Sequence, residues 1–328
     1  MALRVATRGS ALARWQADAV ARLLGEPVEL VIVETTGDRR GDVPISAIGG
    51  QGVFVKEVQM AVLEGRADLA VHSAKDLPSV AAPGLVIAAI PERGDARDAM
   101  VGARLDELRP GAVVATGSVR RRAQLAGLRP DLTFTGLRGN IGTRLAKVPP
   151  GGAAVMAAAA LQRLGCEDRM AQVLEPSVMV PQVGQGALAV ECREDDASTR
   201  AVLARLDHEA SRAAVEAERG FLAALGGGCD LPVGAYARVT GEGLEMEGLL
   251  ASLDGRVVLR HRAGAPPGHP PDELGRAVAR HLVERAGGSS LLIEAGGDPR
   301  AIEAGGHPGG LEAGADPAGE AVTRRRPR

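Results

Sequence analysis

The feature that most constrains this chain is an alternation of short apolar segments with amphipathic ones that runs once, stops and restarts. Positions 3–7, 28–34, 68–72 and 85–90 read as strands, and 10–24 and 53–64 read as helices, the second closed by Gly65. After Pro91-Glu92-Arg93-Gly94-Asp95 the pattern begins again. Strands are expected at 112–116, 132–135 and 153–156, and helices at 118–126, 140–146 and 157–164. Such alternation builds βαβ units on mainly parallel sheets, so two α/β lobes are expected with a cleft between them. An apolar strand at 187–191, after Gly184-Gln185-Gly186, is placed to return the chain to the first sheet. Beyond it the character changes. A helix at 209–225, strands near 235–239, 244–250 and 257–262, and a helix at 271–285 predict a small α+β domain with an antiparallel sheet. The expected division is 1–91 with 188–206, then 92–187, then 207–295, with 296–328 too poor in apolar residues to fold.

A chain of 328 residues is long enough for two or three such cores. Its formal net charge of −2 exerts no global pull on nucleic acid or on a membrane surface, so any anion binding must be local. No segment reaches the ~18 apolar residues of a membrane span, and the N-terminal stretch is broken by Arg4, Arg8 and Arg14. The expectation is a cytoplasmic protein. The cysteines, Cys166, Cys192 and Cys229, are widely spaced and show neither a disulfide framework nor zinc-ligand spacing, so no metal is expected. Lys56, Lys75 and Lys147 are the only lysines in an arginine-rich chain. Each is therefore informative, because arginine does not replace a compact ammonium everywhere.

Several arginines fall beside strand ends and glycine turns rather than on helix faces. Arg8 ends the first strand with Ser10 two residues on, and Arg120-Arg121 follow Thr116-Gly117-Ser118 at a helix start. Arg138-Gly139-Asn140 and Arg144 span another helix start, and Arg163 follows an apolar run. Guanidinium forks beside helix N-termini suit carboxylates. A cleft that takes a polycarboxylate is one reading; ordinary surface arginines are the other. In His72-Ser73-Ala74-Lys75-Asp76-Leu77-Pro78 a carboxylate and an ammonium follow a buried strand. Asp76 is placed either to stabilise a cation or merely to begin a turn before proline. His72 is expected to pack. Gly226-Gly227-Gly228-Cys229 sets a thiol on a glycine turn, where it can be modified or can attack.

Taken together these segments resemble the porphobilinogen deaminase family. The motifs are Arg4–Arg8, Gly49-Gly50-Gln51-Gly52 through Glu57, His72–Pro78, Ser118–Arg121, Arg138–Arg144, Val183–Leu188 and Gly227-Gly228-Cys229 with Pro232 and Gly234-Ala235. The resemblance runs to about residue 295. It implies two periplasmic-binding-protein-like lobes plus a small third domain, and a monomer. It also implies a dipyrromethane cofactor, built from the enzyme's own substrate and held by a thioether on Cys229. Four molecules of porphobilinogen would be added head to tail with loss of ammonia, and water would release hydroxymethylbilane. By the same resemblance Asp76 stabilises the cationic azafulvene left when ammonia departs. Lys75, Ser118, Arg120, Arg121 and Arg144 take the cofactor carboxylates, while Arg8, Ser10, Arg138, Arg144 and Arg163 meet incoming substrate and the growing chain. The chain departs from the family at Gln51, Ala115, Gly117 and Ala159. A non-catalytic anion-binding protein of the same architecture is the rival reading; it would need the arginines but not Asp76 and Cys229 together.

Overall fold

The computed structural model of the chain describes residues 2–35, 55–226 and 231–297. Gln51 with its glycine-rich neighbours, Cys229 and the expected tail from 298 onward lie outside the described residues.

β1 (Leu3–Arg8) runs into α1 (Ala11–Leu24), whose first turn is capped by the Ser10 hydroxyl accepting from the Ala13 N–H at 3.2 Å. β2 (Val28–Val33), α2 (Lys56–Leu63), β3 (Leu69–Ser73) and β4 (Leu85–Ala89) complete the first pass. The return strand, β10 (Leu188–Arg193), inserts between β3 and β4 with Leu188 opposite Ser73 and runs antiparallel to both. The sheet order is β2-β1-β3-β10-β4.

The second lobe repeats that order. It contains β5 (Asp98–Val101), β6 (Val113–Ala115), α3 (Val119–Leu128), β7 (Thr133–Thr135) and α4 (Ile141–Ala146). β8 (Ala153–Ala157), α5 (Ala158–Arg163) and β9 (Met170–Leu174) follow. The sheet reads β7-β6-β8-β5-β9, with β5 antiparallel to both of its neighbours. In each lobe the antiparallel strand is the first one reached after the chain crosses from the other lobe. β5 and β9 were not among the expected strands. β5 has four residues and opens on a buried aspartate, and β9 shows no clean alternation.

The last unit holds α7 (Glu209–Ala224), β11 (Val233–Thr240), β12 (Gly243–Ala251), β13 (Val258–Ala265) and α8 (Pro271–Arg280). α6 (Ala197–Leu203), before it, and α9 (Ser289–Glu294), after it, were not anticipated. The helix expected over 271–285 is α-helical only to Arg280 and continues as a π turn, His281–Arg285. α7 and α8 meet backbone to backbone: a Cβ on Gly275 would collide with the Ala217 carbonyl oxygen, and one on Gly220 with that of Asp272. Phe221, Leu274 and Val278 fill the space between these helices and the three-stranded sheet. Each such side chain contributes roughly 1.5–3 kcal/mol of hydrophobic stabilisation.

The two crossing segments interlock. The Gly94 N–H donates to the Gly186 carbonyl at 3.1 Å, and Arg93 Nε donates to the Gln185 carbonyl at 2.9 Å. Gly186 has φ +85°, and a Cβ there would stand 2.6 Å from the Gly94 carbonyl oxygen, so glycine is required on both counts. Fully buried Glu218, on α7, ties this crossing to the last unit. Its carboxylate takes the Arg93 fork at 2.7 and 3.1 Å and accepts the N–H groups of Gly184 and Ala237. A carboxylate taken out of water persists only when its lone pairs are used in this way.

Candidate active site

β3 ends in a single 3₁₀ turn, Ala74–Asp76, which carries Lys75 and Asp76 at the end of the first lobe's sheet. Across from it, α3 begins at Ser118, whose hydroxyl accepts the Arg121 N–H and so spends itself on capping. Arg120 and Arg121 occupy the first turn and are buried, with 3 % and 7 % of their surface exposed. Both converge on Asp98, the first residue of β5, which is fully buried. Arg121 donates to Asp98 Oδ1 from Nε at 3.0 Å and from Nη2 at 2.7 Å, and to the Val155 carbonyl from Nη1. Arg120 Nη2 lies 2.8 Å from Asp98 Oδ2, and Nη1 donates to the Val180 carbonyl.

Gln185 links this group to the first lobe. Its amide nitrogen donates to Asp98 Oδ1 at 2.9 Å, and its oxygen accepts from Lys75 Nζ at 3.3 Å. One connected chain therefore passes from the β3 turn, through a crossing segment, to the start of the second lobe. Burial alone would raise the Asp98 carboxyl, but the Arg120 and Arg121 charges hold it well below the usual carboxylate range. Burial pushes the Lys75 ammonium down to about 8, against the pull of Asp76. Arg144 is also pushed down, first by burial and then by Arg121, while Asp76 works the other way and Arg138 adds to the repulsion. Its Nε donates to the Gly139 carbonyl at the start of α4, where Asn140 supplies the cap.

The structure thus draws Lys75, Asp76, Arg121, Arg138 and Arg144 into one electrostatic neighbourhood, with Ser118 and Arg120 at its edge. Arg8 and Ser10 stand at the β1–α1 junction. Arg163 makes its contacts elsewhere, donating from Nη2 to the Gly186 carbonyl at 2.6 Å. Cys229 lies outside the described residues, but Leu231, just past its turn, lines a cavity together with Lys75, Ser118, Arg120, Arg219 and Leu222. His72 is buried, as expected of a packed histidine, with Nε2 3.1 Å from Glu191 Oε2.

Sequence reasoning missed Asp98, Gln185 as a connector, and Arg219. Asp98 had one signal: an acidic residue opening the apolar run Ala99-Met100-Val101, which demands a buried partner. Arg219, on α7, donates to the Ser79 carbonyl and is depressed by its burial.

Four cations, Lys75, Arg120, Arg121 and Arg144, face two carboxylates, Asp76 and Asp98, and Arg120 Nε is buried with no hydrogen-bond partner among the described residues. Surplus positive charge and an unused buried donor fit a bound polyanion. Among the described residues no helix is long and apolar enough to cross a membrane.

Comparisons with known proteins point to one family. The profile described as "Porphobilinogen deaminase, dipyromethane cofactor binding domain" matches residues 3–201, and "Porphobilinogen deaminase, C-terminal domain" matches 212–284. The chain is 48% identical over 302 residues to the porphobilinogen deaminase of Acidothermus cellulolyticus, covering 88% of this chain and 91% of that one. It is 47% identical over 300 residues to the porphobilinogen deaminase of Roseiflexus castenholzii, covering 88% and 98%. Among solved structures, a TRAP periplasmic solute binding protein from Desulfovibrio salexigens aligns at 12% identity and TM-score 0.36, over 63% of this chain and 72% of that one. On the strength of both profiles and both relatives, the chain belongs to the porphobilinogen deaminase family.

Proposed function

We propose that this chain is a transferase that condenses four molecules of porphobilinogen head to tail, with loss of ammonia at each step, and releases hydroxymethylbilane. The observation that carries the reading is the surplus of buried and half-buried cations beside Asp76. When bound through Cys229, a dipyrromethane supplies a nucleophilic pyrrole carbon and several carboxylates. Arg120 and Arg121, already fixed by Asp98 and by backbone carbonyls, meet those carboxylates without moving. Lys75 and Arg144 add charge at the same place, and Ser118 holds the helix start that presents both arginines. Asp76 faces the positive charge that develops as the substrate sheds ammonia. A preorganised anion there supplies several kcal/mol, on the order of 3 kcal/mol for one such group. Arg8, Ser10, Arg138 and Arg163 receive the acetate and propionate of incoming substrate. The working units are 1–91 with 188–206, 92–187 and 207–295, acting as a cytoplasmic monomer with no nucleic-acid partner.

The test is the intact mass of the protein under denaturing conditions beside Cys229→Ser. An added dipyrromethane on the first and none on the second is the expected result. A bare mass that porphobilinogen does not change would overturn the reading in favour of a non-catalytic anion-binding protein.

A further inference from the structure

Arg163 closes α5 in the second lobe, and its guanidinium is half-buried with no carboxylate against it among the described residues. One nitrogen is used by the Gly186 carbonyl at 2.6 Å. Its other partner is aromatic: the Arg163 Cζ lies 5.5 Å from the ring centre of Trp15. Trp15 belongs to α1 in the first lobe. Leu12, three residues earlier on the same helix, packs against the core cluster of the second lobe that contains Leu161 and Met156. The Leu12–Trp15 edge of α1 therefore crosses from one lobe to the other.

A desolvated cation needs support, and burial already pushes Arg163 down to about 10. A carboxylate would supply that support and cancel the charge. An indole face supplies part of it and leaves the charge intact. A second guanidinium, that of Arg22, also lies over this ring, with Cζ at 6.0 Å, so the indole is working as a platform for cations.

We infer that Trp15 is a positioning residue: its indole, carried across from the first lobe, holds the Arg163 guanidinium at the crossing segments without neutralising it, so that contact between the lobes sets the cation offered to a substrate carboxylate. The inference rests on the reading of Arg163 as a substrate contact given above.

Trp15 is the chain's single tryptophan, so its emission reports this contact directly. With cofactor-loaded enzyme, Trp15→Leu should raise KM for porphobilinogen about tenfold with kcat within about twofold; tenfold is about 1.4 kcal/mol, between an exposed and a fully desolvated cation–π contact. Trp15→Phe, which keeps an aromatic face, should recover most of the loss. Arg163→Gln should raise KM at least as much and should shift the Trp15 emission, and adding Trp15→Leu to it should cost nothing further. A normal KM in Arg163→Gln would overturn the assignment of Arg163 to substrate. A raised KM there, combined with a normal KM in Trp15→Leu or with full additivity in the double variant, would overturn the role of Trp15 alone. Should Trp15→Leu fail to fold, unchanged emission in Arg163→Gln would sink the inference by itself.

Discussion

Replacing Asp98 with asparagine keeps the shape of the side chain and removes the charge on which two buried guanidiniums depend. The carboxamide would still offer one oxygen to Arg121 Nε and Nη2 and to Gln185. Its amide nitrogen would then face Arg120 Nη2, which now lies 2.8 Å from a carboxylate oxygen. A donor would oppose a donor, and two cations with 3 % and 7 % of their surface exposed would lose their shared counter-charge. Breaking a buried pair from one side costs about 3–5 kcal/mol, because the stranded charge keeps its desolvation penalty. At about 2–4 °C per kcal/mol for a protein of this size class, the midpoint of the transition that melts the second lobe should fall by about 6–20 °C. Calorimetry on the cofactor-free protein reads this without interference from bound anions. Added salt should not mask the loss, since a pair sealed from solvent is poorly screened. Asp131→Asn, which opens the exposed Arg129 pair, is the control and should move the midpoint far less. A fall of less than about 3 °C in Asp98→Asn would show that the arginines are neutralised some other way, and the reasoning would fail.

Three further expectations follow from the same cluster. Lys75 is one of three lysines, so reductive methylation with ¹³C gives few enough resonances to assign; one should titrate near 8 and vanish in Lys75→Arg, whereas midpoints all above 10 would contradict the burial argument. Because that amine is depressed relative to its unfolded value of 10.5, stability should rise with pH between about 8 and 10.5, and a flat profile there would count against it. Asp76→Asn should still load its cofactor, as seen by mass, while kcat drops by about a hundred- to a thousandfold; near-normal turnover would remove Asp76 from the chemistry.

The parts of the fold that were legible in the sequence are those whose signals are local. The helix starts expected at 10, 118 and 140 fall where Ser10, Ser118 and Asn140 cap α1, α3 and α4, since an N-cap needs only its own next turn. The return of the chain to the first sheet was readable from Gly184-Gln185-Gly186 and the apolar run behind it. β5 and β9 were not readable, because each is short and takes its identity from long-range pairing: Asp98 with Ala157 on one side and Leu174 on the other. The arginines of the site could be counted from sequence, but what neutralises them could not. Arg120 and Arg121 share one aspartate lying more than twenty positions upstream, and Arg163 has an indole from the opposite lobe in its place.

The insertion of β10 between β3 and β4 also dictates an order of assembly. All five strands of the second sheet lie within residues 98–174, so that sheet can close as soon as this stretch has been synthesised. The first sheet cannot. Leu188 must pair with Ser73 across the whole of the second lobe, and until it arrives β3 shows an unpaired edge and β4, whose one strand partner among the described residues is β10, is not joined to the sheet. Contacts so distant in sequence form late, and open strand edges are where chains aggregate. The inner stretch of the polypeptide is thus finished while the outer stretch still waits, and the first lobe is closed only by a strand delivered from the far side of the second. A slow or damaged second lobe would therefore appear as failure of the first, and the vulnerable nascent species is a chain longer than residue 89 and shorter than 193.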